Sequence, residues 1–363
     1  MAADVPGAHT AEREFSPISA HDEMADPPAE RQQWPLLHDP LELCERTVNK
    51  VYRAADAEAQ QYQRNHQIIT ALAAIFGTTA VLLAIVQLSS FVRERGLLPI
   101  SGEFVAALIA LFAVILGLVA SFQRRYLLER HKAERYRLLK FGFLIDADLH
   151  TGNEAEARRR TDRLSQEVVD VAALTHHTLD VWVMQDDVSR MPGDTQTPHN
   201  TLSSLVEYYL MKRLNQQITY FSQAAKPTRW ERFTRHLPAL FFFVSVLLAF
   251  GHFALAIYER GAGHGQQTHE FSGHGRVSEL LIVLAACFPV LGAGIRTLHT
   301  ASEQRRNAIR FQAKCYALEK LREELQQERD AAMIFRLLWQ CERIMEVEHR
   351  EWLRLMIEAE WFG

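Results

Sequence analysis

Three histidines, His264, His269 and His274, fall with Glu270 in a glycine-rich stretch, residues 261–275 (GAGHGQQTHEFSGHG). Imidazoles and a carboxylate so grouped could bind zinc or copper, or titrate near neutral pH. A chain this rich in glycine supplies no preorganised geometry, and the first half of the sequence has no counterpart. The expectation is a solvated loop with no bound metal. Cys44, Cys287, Cys315 and Cys341 lie far apart without a C-x-x-C spacing, which reads as reduced structural thiols. The sequence has no phosphate-binding glycine loop, nucleophile elbow or zinc-protease helix pattern. It is therefore expected to have no catalytic residue and no cofactor.

Polar or helix-perturbing residues inside apolar runs are the remaining candidates, because burying them in lipid is costly unless they serve a purpose. They are Gln87, Ser245, His252, Pro289, Gly292 and Gly294. As pore or gating residues they would line a wet path or form a hinge. As structural residues, His252 would make an interhelical hydrogen bond, and the two glycines would let helices approach closely beside Pro289. No potassium-filter sequence and no mid-span acidic residue is present, so a selective pump has little support.

The elements that hold these residues are four apolar runs, residues 68–88, 104–122, 237–258 and 277–298, each of about 16–22 uncharged residues at its core. A helix rises 1.5 Å per residue and the hydrocarbon core is about 30 Å thick, so about 20 residues are needed to cross it. The mean hydropathy of −0.13 averages these runs with long charged segments. The net charge of −4 over 363 residues gives no global basic field for nucleic acid. The connectors after the first and third runs are poor in Lys and Arg. The other flanks are dense in them, with Arg124, Arg125, Arg130, Lys132, Arg135, Arg137 and Lys140 after the second run. By the positive-inside rule both termini are cytoplasmic, in a multipass protein of the plasma (inner) membrane. The basic runs could also meet acidic lipid heads. Arg158, Arg159 and Arg160 read as a solvated helix start.

The two halves resemble each other. Ala133, Tyr136 and Leu138 match Ala313, Tyr316 and Leu318 at an offset of 180, and Leu164 and Trp182 match Ile334 and Trp352 at an offset of 170. The expected organisation is a disordered tail, residues 1–36, with no secretory leader, and a first two-span repeat, residues 37–190. A linker, residues 191–200, and a second repeat, residues 201–363, follow. The fold class is all-α, two tandem transmembrane hairpins with long cytosolic helical extensions. With no proline between Phe104 and Phe143, one helix of about 60 Å is expected there. Ile334, Leu338, Cys341, Met345, Glu348, Trp352, Leu355 and Ala359 recur in steps of four and three, a coiled-coil seam. Packing on the chain's own preceding helix is the simpler use of that seam. Oligomerisation through Ile334, Leu338, Met345, Trp352 and Leu355 is the other.

The helix YYLMKRLNQQITYFSQAA (residues 208–225) enters the second hairpin, A-x-x-Y-x-L follows each second span in AERYRL and AKCYAL, and the chain ends in CERIMEVEHREW. In these features the sequence resembles the SLATT family, two-transmembrane effector domains associated with SMODS nucleotidyltransferases and SLOG sensors in bacterial conflict systems. The resemblance would cover most of residues 46–361 as two tandem copies. It implies a homo-oligomeric effector in the lipid bilayer that opens a pore on a nucleotide-derived signal. The chain has no SLOG-like or nucleotidyltransferase portion, so a sensor would be a separate protein, or the ligand would bind the cytosolic helices directly. A non-conducting scaffold that recruits cytosolic partners is the alternative.

Overall fold

The computed structural model describes residues 23–87, 98–150, 154–184, 198–226, 233–234, 236–262, 272–301 and 304–361. Among them all regular structure is helical. In chain order the main helices are α1 (Pro28–Arg31), α2 (His38–Cys44), α3 (Lys50–Gln87), α4 (Leu98–Ala120) and α5 (Phe122–Leu144). They continue as α6 (Glu154–Ala172), α7 (His176–Met184), α8 (His199–Tyr209), α9 (Asn215–Ala224), α10 (Leu237–Ala262), α11 (Ser272–Ala301), α12 (Gln304–Gln327) and α13 (Ala331–Trp361). Two π-helical turns interrupt the helices that precede the apolar runs: Glu45–Asn49 between α2 and α3, and Leu210–Leu214 between α8 and α9.

The chain divides into two units. A polar unit comprises Met1–Gln60, Leu128–Gln223 and Gln312–Gly363, and an apolar unit comprises Gln61–Leu127 and Ala224–Phe311.

The polar unit has a conventional core: Leu37, Leu41, Phe141, Phe143, Phe335 and Leu338 are each fully buried. Burying a side chain of this size contributes about 1.5–3 kcal/mol. Ile334, Leu338, Cys341 and Met345 of the terminal seam belong to this core. The first half of the seam is thus packed within the chain, and of the five residues expected to oligomerise only Trp352 and Leu355 stay half-exposed. The acidic start of the chain also departs from expectation. Met24 is fully buried and Glu23 and Asp26 almost so, with α1 following directly, so the expected tail of residues 1–36 is packed from residue 23 onwards.

The apolar unit holds four helices long and apolar enough to cross a membrane, within Pro35–Gln87, Ile100–Ala120, Leu237–Leu255 and Val277–Thr297. No more than 11% of any apolar window is buried, which a water-soluble core could not tolerate. Helices α3 and α4 pack antiparallel through small residues. A Cβ on Gly77 would lie 3.9 Å from the Ala110 methyl, one on Gly102 3.7 Å from Leu83, and one on Gly117 3.4 Å from Ile69. Helices α10 and α11 also run antiparallel, with Phe241 and Phe288 rings 5.5 Å apart at one level and Ser278 against His252 at another.

The expected unbroken helix from Phe104 to Phe143 is two helices. Ser121 separates α4 from α5 with φ of 48°, the one positive φ outside glycine among the described residues. A left-handed L-residue costs about 1–2 kcal/mol. Nothing in the surrounding sequence, LVASFQRR, marks this break.

Candidate functional site

The polar unit is organised around a buried ionic network that grips the N-terminal segment, residues 23–30, like a strap. Arg213 is the centre. Its Nε and Nη2 each lie 3.0 Å from a Glu342 carboxylate oxygen, a bidentate pair, and its Nη1 donates to Glu23 at 2.6 Å. Gln217 also donates to Glu23, and Arg137 Nε lies 4.0 Å from it. Tyr209 donates its hydroxyl to Glu342 at 2.7 Å. Beside this cluster Lys140, fully buried, places Nζ 2.6 Å from Asp26 and 3.0 and 3.1 Å from the carbonyls of Glu23 and Met24. Tyr208 donates to Asp26 at 2.9 Å. Lys212 reaches Glu30 at 2.6 Å and the Ala25 carbonyl at 3.0 Å.

Lys212 and Arg213 lie in the π-helical turn Leu210–Leu214, whose wider spiral presents both to the core. The π-helical turn Glu45–Asn49 does the same for Asn49, whose amide donates to the Met24 carbonyl and, at 2.5 Å, to Glu45. Both π-helical turns therefore hold the strap.

Next to the cluster Arg137 donates to Tyr52 at 2.8 Å and to both oxygens of Glu134 at 2.8 and 2.9 Å. Burial alone would raise the Glu134 carboxyl, but Arg130 and Arg137 beside it hold it well below the usual carboxylate range. A second buried group joins His131 Nδ1 to His349 Nε2 at 3.0 Å, with rings 9° from parallel and Trp182 packed against both. Burial, then the competing ring of His349 and the Arg135 guanidinium, pushes His131 down, and burial pushes His349 down to about 3. Both rings are therefore neutral near pH 7, one donating to the other. Arg350 and Arg135 stack on Trp182 at 4.9 and 5.6 Å.

The basic run of α5 is thus largely internal: Lys140, Arg137 and Arg130 are engaged with carboxylates of the chain, not spread on a surface. Arg160, expected to be solvated, is 2% exposed. It bridges Asp146 at 2.7 Å and Glu167 at 3.2 Å over the Phe143 ring. Arg158 remains on the surface, paired to Glu154. The thiols fit structural use: burial raises those of Cys44 and Cys341 strongly, and all four cysteines are free.

In the apolar unit the residues singled out from sequence act mainly on neighbouring helices. Proline at 289 lacks the N–H that would bond the carbonyl of residue 285, yet α11 runs through it. Ser245 of α10 donates to that same Ala285 carbonyl at 2.6 Å and replaces the missing partner. His252 Nδ1 lies 2.9 Å from the Ser278 hydroxyl. Gly292 is buried, and a Cβ there would sit 3.4 Å from the Pro238 backbone. A Cβ on Gly294 would come within 2.6 Å of Thr78 Oγ1, so any larger residue there must displace the Thr78 side chain of α3. Gln87 is half-buried at the end of α3. His264 and His269 lie outside the described residues, as does the side chain of His274, and no metal-binding group occurs among the described residues.

The network itself was missed by sequence reading, although a signal existed. Leu205, Tyr209, Arg213, Gln217 and Phe221 recur every four residues, which places Arg213 and Gln217 on an apolar stripe. Comparison of the chain with protein-family models, curated proteins and solved structures finds no match.

Proposed function

We propose that this chain is an oligomeric membrane effector. It forms an ion-conducting or membrane-permeabilising pore, gated through its cytosolic helices, in a bacterial antiphage or conflict system. The observation that carries this reading is the exposure of the four apolar helices, whose faces are open to lipid or to further copies. Within one copy Ser245 and His252 are paired with a neighbouring helix, so under this reading a wet path forms between copies. The exposed flanks of α4 and α10, with Phe104, Phe112, Phe242 and Phe250, are the surfaces available to lipid or to another copy. Both termini lie in the cytoplasm under this reading, and α3–α4 and α10–α11 are two hairpins of one duplicated unit. The π-helical turn ahead of each hairpin supports the duplication. A separate SLOG-type or nucleotide-signal protein would act as sensor.

The test is ion flux from liposomes that hold the purified full-length chain, with its stoichiometry measured in the same preparation. Discrete conductance from an oligomer is the expected result. A monomer, or an oligomer that stays silent at every voltage and with the sensor's nucleotide product, would sink the pore. The second reading, a non-conducting scaffold, draws on the same satisfied polar pairs, since they leave little to wet a lumen. A tightly packed oligomer with no wettable axis would favour it.

A further inference from the structure

We propose that the basic cradle formed by Lys140, Lys212, Arg213 and Gln217 is an anion-binding site. The chain's own strap occupies it, and a soluble multiply charged phosphate of the pyrophosphate class competes with the strap for it. This goes beyond the pore reading and does not depend on it.

Each strap carboxylate sits as a bound anion would. Glu23 receives Arg213 and Gln217, Asp26 receives Lys140 and Tyr208, and Glu30 receives Lys212. The donors come from helical segments, while Glu23 and Asp26 come from the non-helical stretch ahead of α1. That stretch contributes one apolar anchor, Met24, and its carbonyls of Glu23, Met24 and Ala25 accept from Lys140, Asn49 and Lys212, so polar and ionic contacts do most of the holding. Buried ion pairs of this kind yield little net stability, because desolvation of both partners offsets their attraction. Leaving the cations bare is much worse, since each would be a buried charge with too few partners. The cradle therefore favours exchange of one anion for another over vacancy.

The chemistry of the lining selects the class. Guanidinium and ammonium groups beside tyrosine and glutamine donors match phosphate oxygens. Two acid groups in one ligand would replace both Glu23 and Asp26. Glu342 stays on the far edge of Arg213 and lets only part of the guanidinium turn to the ligand, which disfavours a bulky highly charged polymer.

Titration calorimetry of the full-length chain in zwitterionic nanodiscs with inorganic pyrophosphate tests this. The double substitution Glu23→Gln and Asp26→Asn weakens the strap and is expected to tighten pyrophosphate binding at least tenfold. Adding Lys140→Gln to that variant is expected to remove the gain. Equal affinity in wild type and double variant, or a gain that survives Lys140→Gln, overturns the proposal. Hydrogen exchange on the unaltered chain gives a readout independent of any variant's folding. Saturating pyrophosphate should deprotect the amides of residues 23–31 while those of α8 and α9 stay protected. Sodium chloride at equal ionic strength should not. Unchanged protection of the strap, or the same loss with sodium chloride, refutes it.

Discussion

In the polar unit the best-buried large side chains include Arg213 and Lys140, whereas the apolar unit buries Ala106, Ala113 and Gly292 and leaves Phe242, Leu247 and Phe250 exposed. The contrast follows from what surrounds each unit. In water, apolar side chains drive collapse, and a charge that is drawn in must bring partners with it. Where the apolar faces stay outside, burial supplies little drive, and close backbone approach with a few interhelical hydrogen bonds decides which helices meet. One chain thus uses two currencies of specificity: matched ions in one unit, and missing side-chain volume in the other.

That contrast can be broken most forcefully at Arg213. Replacing Arg213 with Met strands Glu23 and Glu342 in the core and is expected to cost about 3–5 kcal/mol. Adding Glu342→Leu should recover part of the loss. Both effects are measurable as shifts in the chemical unfolding of the polar unit.

Acidification is the next largest perturbation, and it should act on the polar unit. His349 is held at about 3 against an ordinary value of 6.5, and His131 is lowered as well. The unfolded chain therefore binds more protons than the folded one below pH 6.5. Stability conferred by the neutral pair is complete above that value and is lost as pH falls towards 3. The slope is about 1.4 kcal/mol per pH unit for each histidine. Melting at pH 7.5 and pH 5.5 should show the drop, and His349→Phe should reduce it, leaving the part that His131 contributes. Glu134, held low by Arg130 and Arg137, adds a further loss only below about pH 4.5.

In the apolar unit, Gly294→Ala should cost about 1–3 kcal/mol through the collision with Thr78, and Thr78→Ala should relieve it in a double-mutant cycle. The smallest effect sharpens the comparison most. Ser245→Ala leaves the Ala285 carbonyl without its donor and should cost about 1–2 kcal/mol. In a Pro289→Ala background, where an N–H again serves that carbonyl, the cost should shrink towards zero. Equal costs in both backgrounds would show that Ser245 does not compensate for the proline.

The four apolar helices were legible because hydropathy is a property of consecutive residues, and 20 of them in a row suffice. The close contacts at Gly292 and Gly294 were half legible: their types and place were visible, their partners Pro238 and Thr78 were not. The ionic network was hidden because Glu23, Lys140, Arg213 and Glu342 are distributed across almost the whole sequence. Acidic residues beside Pro and Ala read as a solvated tail, and cations after an apolar run read as a topology signal. Only the four-residue recurrence around Arg213 carried contrary information. The break at Ser121 had no signal, since serine is an ordinary helix residue in most contexts.

That break has a consequence for angular register. Along an uninterrupted helix every side chain's azimuth is tied to every other at about 100° per residue. A stripe suited to lipid in α4 would then dictate which face of α5 presents Arg137 and Lys140. The left-handed residue at Ser121 ends that single progression, so the lipid-suited stripe of α4 and the ion-burying stripe of α5 each follow the periodicity of their own helix alone.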